Sequence, residues 1–405
     1  MTILSVHRNA TDGLIRMFRQ KRINASARAV VRGSRFLSYD IRLKNPLQYN
    51  EALAIAEPLA LALGVPSIAS YRDMGIIRFD ITLPKSYWVT VYYNEMIAPY
   101  QVGTLPGNKP LSYNLSDPNQ MIVGVPGSGK SEGIKTILLS SLIQNSPDRL
   151  GVVLIDPHKA IVEFDNASNL LLPPATEKDG ITDALNMLRD MLNDRKAVGE
   201  AVVKANPEVY PLVMLVIDEA SEPNVLGAKD YPNKENIALV QQLAKEGRKF
   251  NMRILLGTQK PTEADLPGIM SMFPVRYVGQ VTDARMASNF AGKKEVPAHL
   301  LTGNGDFFRA RGNELVRFQF ALTTPEDYTH LKTGDIRPVT KRVEYSSGRP
   351  SIDYSPSAIA YYLAHNKVTL KTAKEVLNLT RTGHEKHREF AMQVSSKLKE
   401  YDIHW

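Results

Sequence analysis

Residues 124 to 131 read Gly-Val-Pro-Gly-Ser-Gly-Lys-Ser, which meets the phosphate-loop pattern G-x-x-x-x-G-K-[ST] at every fixed position. Glycine at 124, 127 and 129 lets the backbone wrap so that its N–H groups face phosphate oxygens. A helix predicted to start near Lys130 adds the positive end of its dipole. The candidate nucleotide-binding residues are therefore Gly124, Val125, Pro126, Gly127, Ser128, Gly129, Lys130, Ser131 and Glu132. Lys130 supplies a point charge to the β and γ phosphates of ATP, and the Ser131 hydroxyl is a ligand for Mg2+.

Hydrolysis needs more than a phosphate cradle. Leu212 to Ile217 is an apolar run that leads into Asp218-Glu219. Asp218 joins Ser131 as a candidate for the Mg2+ shell, and Glu219 is a candidate to orient and deprotonate the attacking water. Acidic residues at strand ends also serve as plain caps, but the phosphate loop upstream favours the catalytic reading. Arg253 to Gly257 ends in Thr258-Gln259, which makes Gln259 a candidate γ-phosphate sensor or else the cap of a loop before Pro261. His384-Glu385-Lys386-His387 lacks the H-E-x-x-H spacing of a zinc hydrolase. No metal beyond Mg2+ is expected.

These groups can meet only if several strands end along one edge of a sheet. The region 99–340 supplies them: MIVGV, GVVLID, PLVMLVID, RILLGT and VRYVGQV alternate with amphipathic helical patterns such as 181–192 and 236–249. Such alternation predicts an α/β domain with a parallel sheet covered on both faces. The region 1–98 opens with a basic helix-compatible segment. It continues with AVVRGSRFLSYDIRL as a strand, EALAIAEPLALALGV as a helix ending at Gly64, and IIRFDITL and YWVTVYY as further strands, so it reads as a small α+β domain. Residues 341–355, rich in Pro, Ser and Gly, read as a linker. Residues 356–405 carry apolar spacings that fit three short helices, with a helix-turn-helix-like pair that either enters a DNA groove or packs as a bundle on a partner.

With 405 residues, 43% of them hydrophobic and 23% charged, the chain is long enough for two or three packed domains. There is no cysteine, which excludes disulfides and thiolate chemistry and fits a reducing cytoplasm. No apolar stretch approaches the ~20 residues that span a bilayer. The net charge of +8 is matched by the first fifty residues alone, which hold ten Lys or Arg against two Asp. A basic stripe of this kind fits contact with nucleic acid or is simply a solvated surface.

Several segments together resemble the cytoplasmic motor of the FtsK/SpoIIIE family of double-stranded DNA translocases. They are EPLALALGVPSIASYRDMGIIRFDITLP, MIVGVPGSGKSEGIKTILLSSLI, GVVLIDP, VMLVIDEA, ILLGTQKP and GNGDFF. The resemblance implies a RecA-like motor, assembled as a homo-oligomeric ring, a hexamer, with ATP at subunit boundaries and double-stranded DNA in the channel. It also implies a neighbour's arginine at the γ-phosphate. Arg248, in LAKEGRKFNMRI, matches the family's arginine, with Arg276 and Arg285 behind it; an exposed helix-end cation is the plain alternative for Arg248. IDPHKAIVEF departs from the family's D-P-K pattern toward HerA-like and conjugative ATPases. The expected function is ATP-driven translocation of DNA for a plasmid, phage or integrative element, beside a membrane or DNA-processing partner. The rivals are a HerA-like or conjugative DNA pump and an ATP-switched DNA-binding assembly protein.

Overall fold

The computed structural model describes residues 3–228, 231–259 and 266–331. The expected linker and helix-turn-helix-like segment, 341–355 and 356–405, lie outside them. Helix α1 (Ile3–Gln20) repeats Val6, Ala10, Leu14 and Phe18 at four-residue intervals; these are buried while Arg8, Arg16 and Arg19 are exposed. Its apolar stripe packs over an antiparallel sheet of β1 (Ala25–Arg32) and β2 (Phe36–Leu43), joined after the short helices α2 (Tyr49–Leu53) and α3 (Ala56–Leu63) by β3 (Ile68–Asp73) and β4 (Ile76–Thr82). The order is β1-β2-β4-β3. Phe18 meets Phe79 edge to face at 6.1 Å in the middle of this core.

The small sheet differs from the sequence expectation in three places. AVVRGSRFLSYDIRL forms two strands, folded back at Gly33, whose N–H donates to the Phe36 carbonyl. Residues 68–73, not singled out from the sequence, make an edge strand. YWVTVYY is no strand: it holds the turns Lys85–Tyr87 and Tyr93–Glu95 and one isolated bridge, Tyr92 to Leu322. Pro84 starts this turn, and the Trp88 indole donates to the Leu83 carbonyl, so the aromatic residues are used in packing and not in a ladder.

The second sheet begins with the hairpin β5 (Gln101–Leu105) and β6 (Lys109–Ser112). It continues through β7 (Gln120–Val123), α4 (Lys130–Gln144), β8 (Leu150–Ile155), α5 (Lys178–Val198), α6 (Glu200–Ala205) and β9 (Leu212–Ile217). A two-residue pair, β10 (Gly227–Ala228) and β11 (Tyr231–Pro232), precedes α7 (Lys234–Glu246), β12 (Met252–Thr258), β13 (Val275–Val278), α8 (Ala284–Ala291), β14 (Asp306–Arg311) and β15 (Glu314–Phe320). The strand order is β6-β5-β15-β14-β13-β7-β12-β9-β8. From β13 to β8 neighbours are parallel, but from β13 to β6 they are antiparallel. The sheet is therefore mixed where a parallel one was expected. The cause is local: β14 and β15 are joined only by Gly312 and Asn313, and so short a connection can return the chain only antiparallel.

Alternate residues of the parallel strands feed two cores. Val213, Leu215 and Ile217 face Leu185, Leu188 and Val240 of α5 and α7, while Met214 and Val216 share the other face with Ile137 and Leu138 of α4. Burying each such Leu, Ile or Val contributes roughly 1.5–3 kcal/mol. At the β8 end, residues 169–175 run alongside the strand and exchange hydrogen bonds with Val152, Leu154 and Asp156. At the other end β6 offers Lys109 and Pro110, both exposed.

The small sheet docks on the antiparallel half of the large one. Tyr71 meets Phe308 edge to face at 4.9 Å, and Asp73 accepts the Leu315 N–H at 3.1 Å. Behind them Arg317, wholly buried, forms a two-pronged contact with Asp306 at 3.0 and 2.8 Å and lies 4.0 Å from Asp80.

Candidate nucleotide site

The buried strand β7 delivers the chain into Gly124, and α4 starts at Lys130 with no side chain capping its first turn. Its N–H groups are thereby left for an anion. Gly127 and Gly129 have φ of 82° and 98°, and a side chain at Gly129 would stand 2.5 Å from the Gly305 nitrogen. A side chain at Gly124 would strike Ser128. The loop is braced from behind: Val125 donates to the Gln280 carbonyl at 3.0 Å, Asn304 to Gly127 at 3.0 Å and Gly305 to Ser128 at 2.7 Å. Val125 is half-buried and Pro126 and Gly127 form an exposed crest; Ser128 is buried, with no hydrogen-bond partner for its hydroxyl.

Strand β9 places Asp218 and Glu219 directly against this loop. Lys130 forms an ion pair with Asp218, whose second oxygen accepts the Ser131 hydroxyl at 3.1 Å. Ser131 and Asp218 are thus adjacent hard oxygen donors, the set that suits Mg2+ when phosphate and water complete the shell. Among the described residues no group of three His, Cys, Asp or Glu is placed to hold a metal unaided. Glu219 is buried with φ of 62°. One carboxylate oxygen accepts Ser221 at 2.7 Å, Thr258 at 3.3 Å and the Gln259 N–H at 2.9 Å; the other has no hydrogen bond and lies 3.6 Å from the Lys130 ammonium.

Strand β12 lies between β7 and β9, with Thr258 in register with Val123, so Gln259 emerges between the phosphate loop and the acidic pair. The structure therefore brings together Lys130, Ser131, Asp218, Glu219 and Gln259. Glu132 is at the loop through its backbone, but its side chain turns to Lys135 at 3.3 Å and to Thr323 at 3.3 Å. Arg248 is exposed in the turn Gly247–Phe250, before β12 and so at the opposite edge of the sheet, roughly 20 Å away at about 3.3 Å per strand residue. Arg276 is spent on the carbonyls of Met270, Phe273, Asn289 and Phe290. Arg285 is exposed in the first turn of α8.

Two contributors were not assigned from the sequence. Ser221 fixes Glu219 from two residues away, and the turn 303–305 braces the loop from behind. The signal for the turn was present in Gly-Asn-Gly: Gly303, Asn304 and Gly305 have φ of 73°, 48° and 87°, a run that residues other than glycine and asparagine adopt only under strain.

A phosphate loop, an acidic pair on a strand two places away and a polar tip between them form a candidate P-loop nucleotide site on a mixed α/β sheet. Residues 94–202 match the FtsK/SpoIIIE family. That match covers about a quarter of the chain, and over more of its length the chain is similar to DNA translocase FtsK. It is 26% identical over 346 residues to DNA translocase FtsK of Helicobacter pylori (strain J99), covering 76% of this chain and 39% of that protein. Against DNA translocase FtsK of Bradyrhizobium diazoefficiens it is 24% identical over 355 residues, covering 73% and 42%. The chain thus spans about two fifths of the length of these relatives. Among solved structures the pCW3 conjugation coupling protein TcpA, in monomer form with ATPγS, has a similar fold: TM-score 0.51, 18% identity, covering 77% of this chain and 95% of that one. No described helix is long and apolar enough to cross a membrane.

Proposed function

We propose that this ATPase is a translocase that moves double-stranded DNA through a homo-oligomeric ring, a hexamer, by hydrolysing ATP. The observation that carries the ATP half of this reading is the Glu219 carboxylate. One of its oxygens is fixed by three donors, and the other is free of hydrogen bonds beside Lys130. That is the arrangement of a general base held in one orientation with a lone pair left for water. Lys130 and the N–H groups of residues 127 and 129 to 132 bind the β and γ phosphates, and Gln259 senses the γ-phosphate from the tip of β12. Mg2+, held by Ser131 and Asp218, would supply neutralising charge to the phosphates. Arg248 belongs to the neighbouring subunit's site.

The DNA half rests on the family and on charge. Arg8, Arg16, Arg19, Lys21 and Arg22 are all exposed along and just after α1, and the relatives named above are DNA translocases. A grip of this kind on phosphates is largely independent of sequence and weakens with salt. The test is ATPase activity with and without linear duplex, together with displacement of a triplex-forming strand. Stimulation by duplex and ATP-dependent displacement are expected. Slow turnover indifferent to DNA would overturn the translocase and leave an ATP-switched binding protein. The Lys130→Ala variant should lose hydrolysis by at least about 100-fold, the order found when one preorganised charge stabiliser is removed.

A further inference from the structure

We propose that Arg35, in the turn between β1 and β2 of the small sheet, is a positioning residue for the phosphate loop, acting through the turn 303–305. Arg35 is 8% exposed. Its guanidinium donates to the Thr302 hydroxyl at 3.0 Å, the Gly303 carbonyl at 2.7 Å and the Asn304 carbonyl at 2.9 Å. Trp88 holds it from one side, 5.0 Å from ring centre to guanidinium carbon.

The two carbonyls are what give this contact a consequence beyond joining two sheets. The Gly303 carbonyl and the Asn304 N–H belong to one peptide unit, and the Asn304 carbonyl and the Gly305 N–H belong to the next. In each, the carbonyl accepts from Arg35 and the N–H donates to the phosphate loop, at Gly127 and Ser128 respectively. Two peptide units therefore stand between a buried cation and the loop, and hydrogen bonds in such series polarise one another. The relay continues one step further. A trans peptide points its carbonyl and N–H in opposite directions, so fixing the Ser128 carbonyl toward Gly305 aims the Gly129 N–H away from that turn and into the loop. The absence of a side chain at Gly129 is what permits this approach, since a Cβ there would lie 2.5 Å from the Gly305 nitrogen. The position of the small sheet thereby sets how well the loop presents its N–H groups to phosphate.

The inference rests on the loop being the nucleotide site, and the experiment separates the two. Nucleotide affinity, kcat and KM for ATP are measured on the full chain for the wild type, Arg35→Gln and Arg35→Lys, with thermal melting alongside. Tyr49→Phe serves as the comparison, because Tyr49, on α2, also links the N-terminal region to the large-sheet domain, through Glu295 at 2.6 Å, without touching the turn. Arg35→Gln should raise Kd and KM for ATP by roughly tenfold, as loss of a charged hydrogen bond supports, with a much smaller change in kcat. Arg35→Lys, which keeps the charge and one donor, should recover part of the affinity, and Tyr49→Phe should leave it unchanged. Should Arg35→Gln fail to fold, the Arg35→Lys affinity decides alone. Folded Arg35 variants with wild-type ATP affinity, or a Tyr49→Phe variant that weakens binding equally, would overturn the proposal. A wild type that binds no ATP would instead overturn the nucleotide site itself.

Discussion

Glu219 has two demands placed on it, one conformational and one chemical. Its φ of 62° costs ~1–2 kcal/mol for a residue with a side chain, and three donors from Ser221, Thr258 and Gln259 hold it there. An amide in place of the carboxylate can still accept those bonds but cannot take a proton. Glu219→Gln should therefore bind ATP about as well as the wild type while single-turnover hydrolysis falls by about 100-fold or more, the range for a lost general base starting near that value. Equal losses in binding and turnover would mark a structural role. Lys130, Ser131, Asp218 and Glu219 were legible in the sequence because each stands in a short fixed pattern beside an apolar run. Ser221, Thr302 and Arg35 were not, because what they touch lies across the fold and no spacing encodes it.

The hairpin of β14 and β15 illustrates a different limit of the sequence. Only the segment GNGDFF at its start was singled out in the sequence, and the sheet was expected to be parallel, since periodicity reports burial but not strand direction. Yet this hairpin places Arg317 and Asp306 in the joint between the two sheets. Burial pushes the Asp306 carboxyl up, but the Arg317 guanidinium and the Thr302 donors outweigh it and hold the group below its usual value. Removing Asp306 leaves the buried guanidinium with Asp80 alone, at 4.0 Å and without its two hydrogen bonds, so Asp306→Asn should lower unfolding free energy by roughly 3 kcal/mol at neutral pH, read by denaturant titration. A depressed folded-state pKa means that the stabilisation exists above the unfolded value of about 4 and fades as pH falls through the folded one. The gap between wild type and Asp306→Asn should thus be widest at neutral pH and close in acid. Asp80 is shifted upward by burial, so its own contribution runs the other way.

For the proposed ring, the location of Arg248 makes a sharp demand. It stands at the far edge of the sheet from its own phosphate loop, so any action on ATP must be on another copy's nucleotide. Arg248→Ala and Lys130→Ala subunits should each be inactive alone and regain hydrolysis when mixed, because a mixed ring holds sites with an intact loop facing an intact arginine. No recovery on mixing would remove Arg248 from the mechanism. The five parallel strands were each legible in the sequence as apolar runs; their order and how subunits meet were not. Here the two ends of the large sheet have a bearing. Residues 169–175 already occupy the hydrogen-bonding side of β8, and Pro110 deprives β6 of a donor while Lys109 adds charge. Neither end offers a template onto which a second chain could add a strand. In the proposed ring, copies would therefore not meet by extending the large sheet, and such a ring could loosen and re-form around a cargo without any subunit surrendering a strand of that sheet.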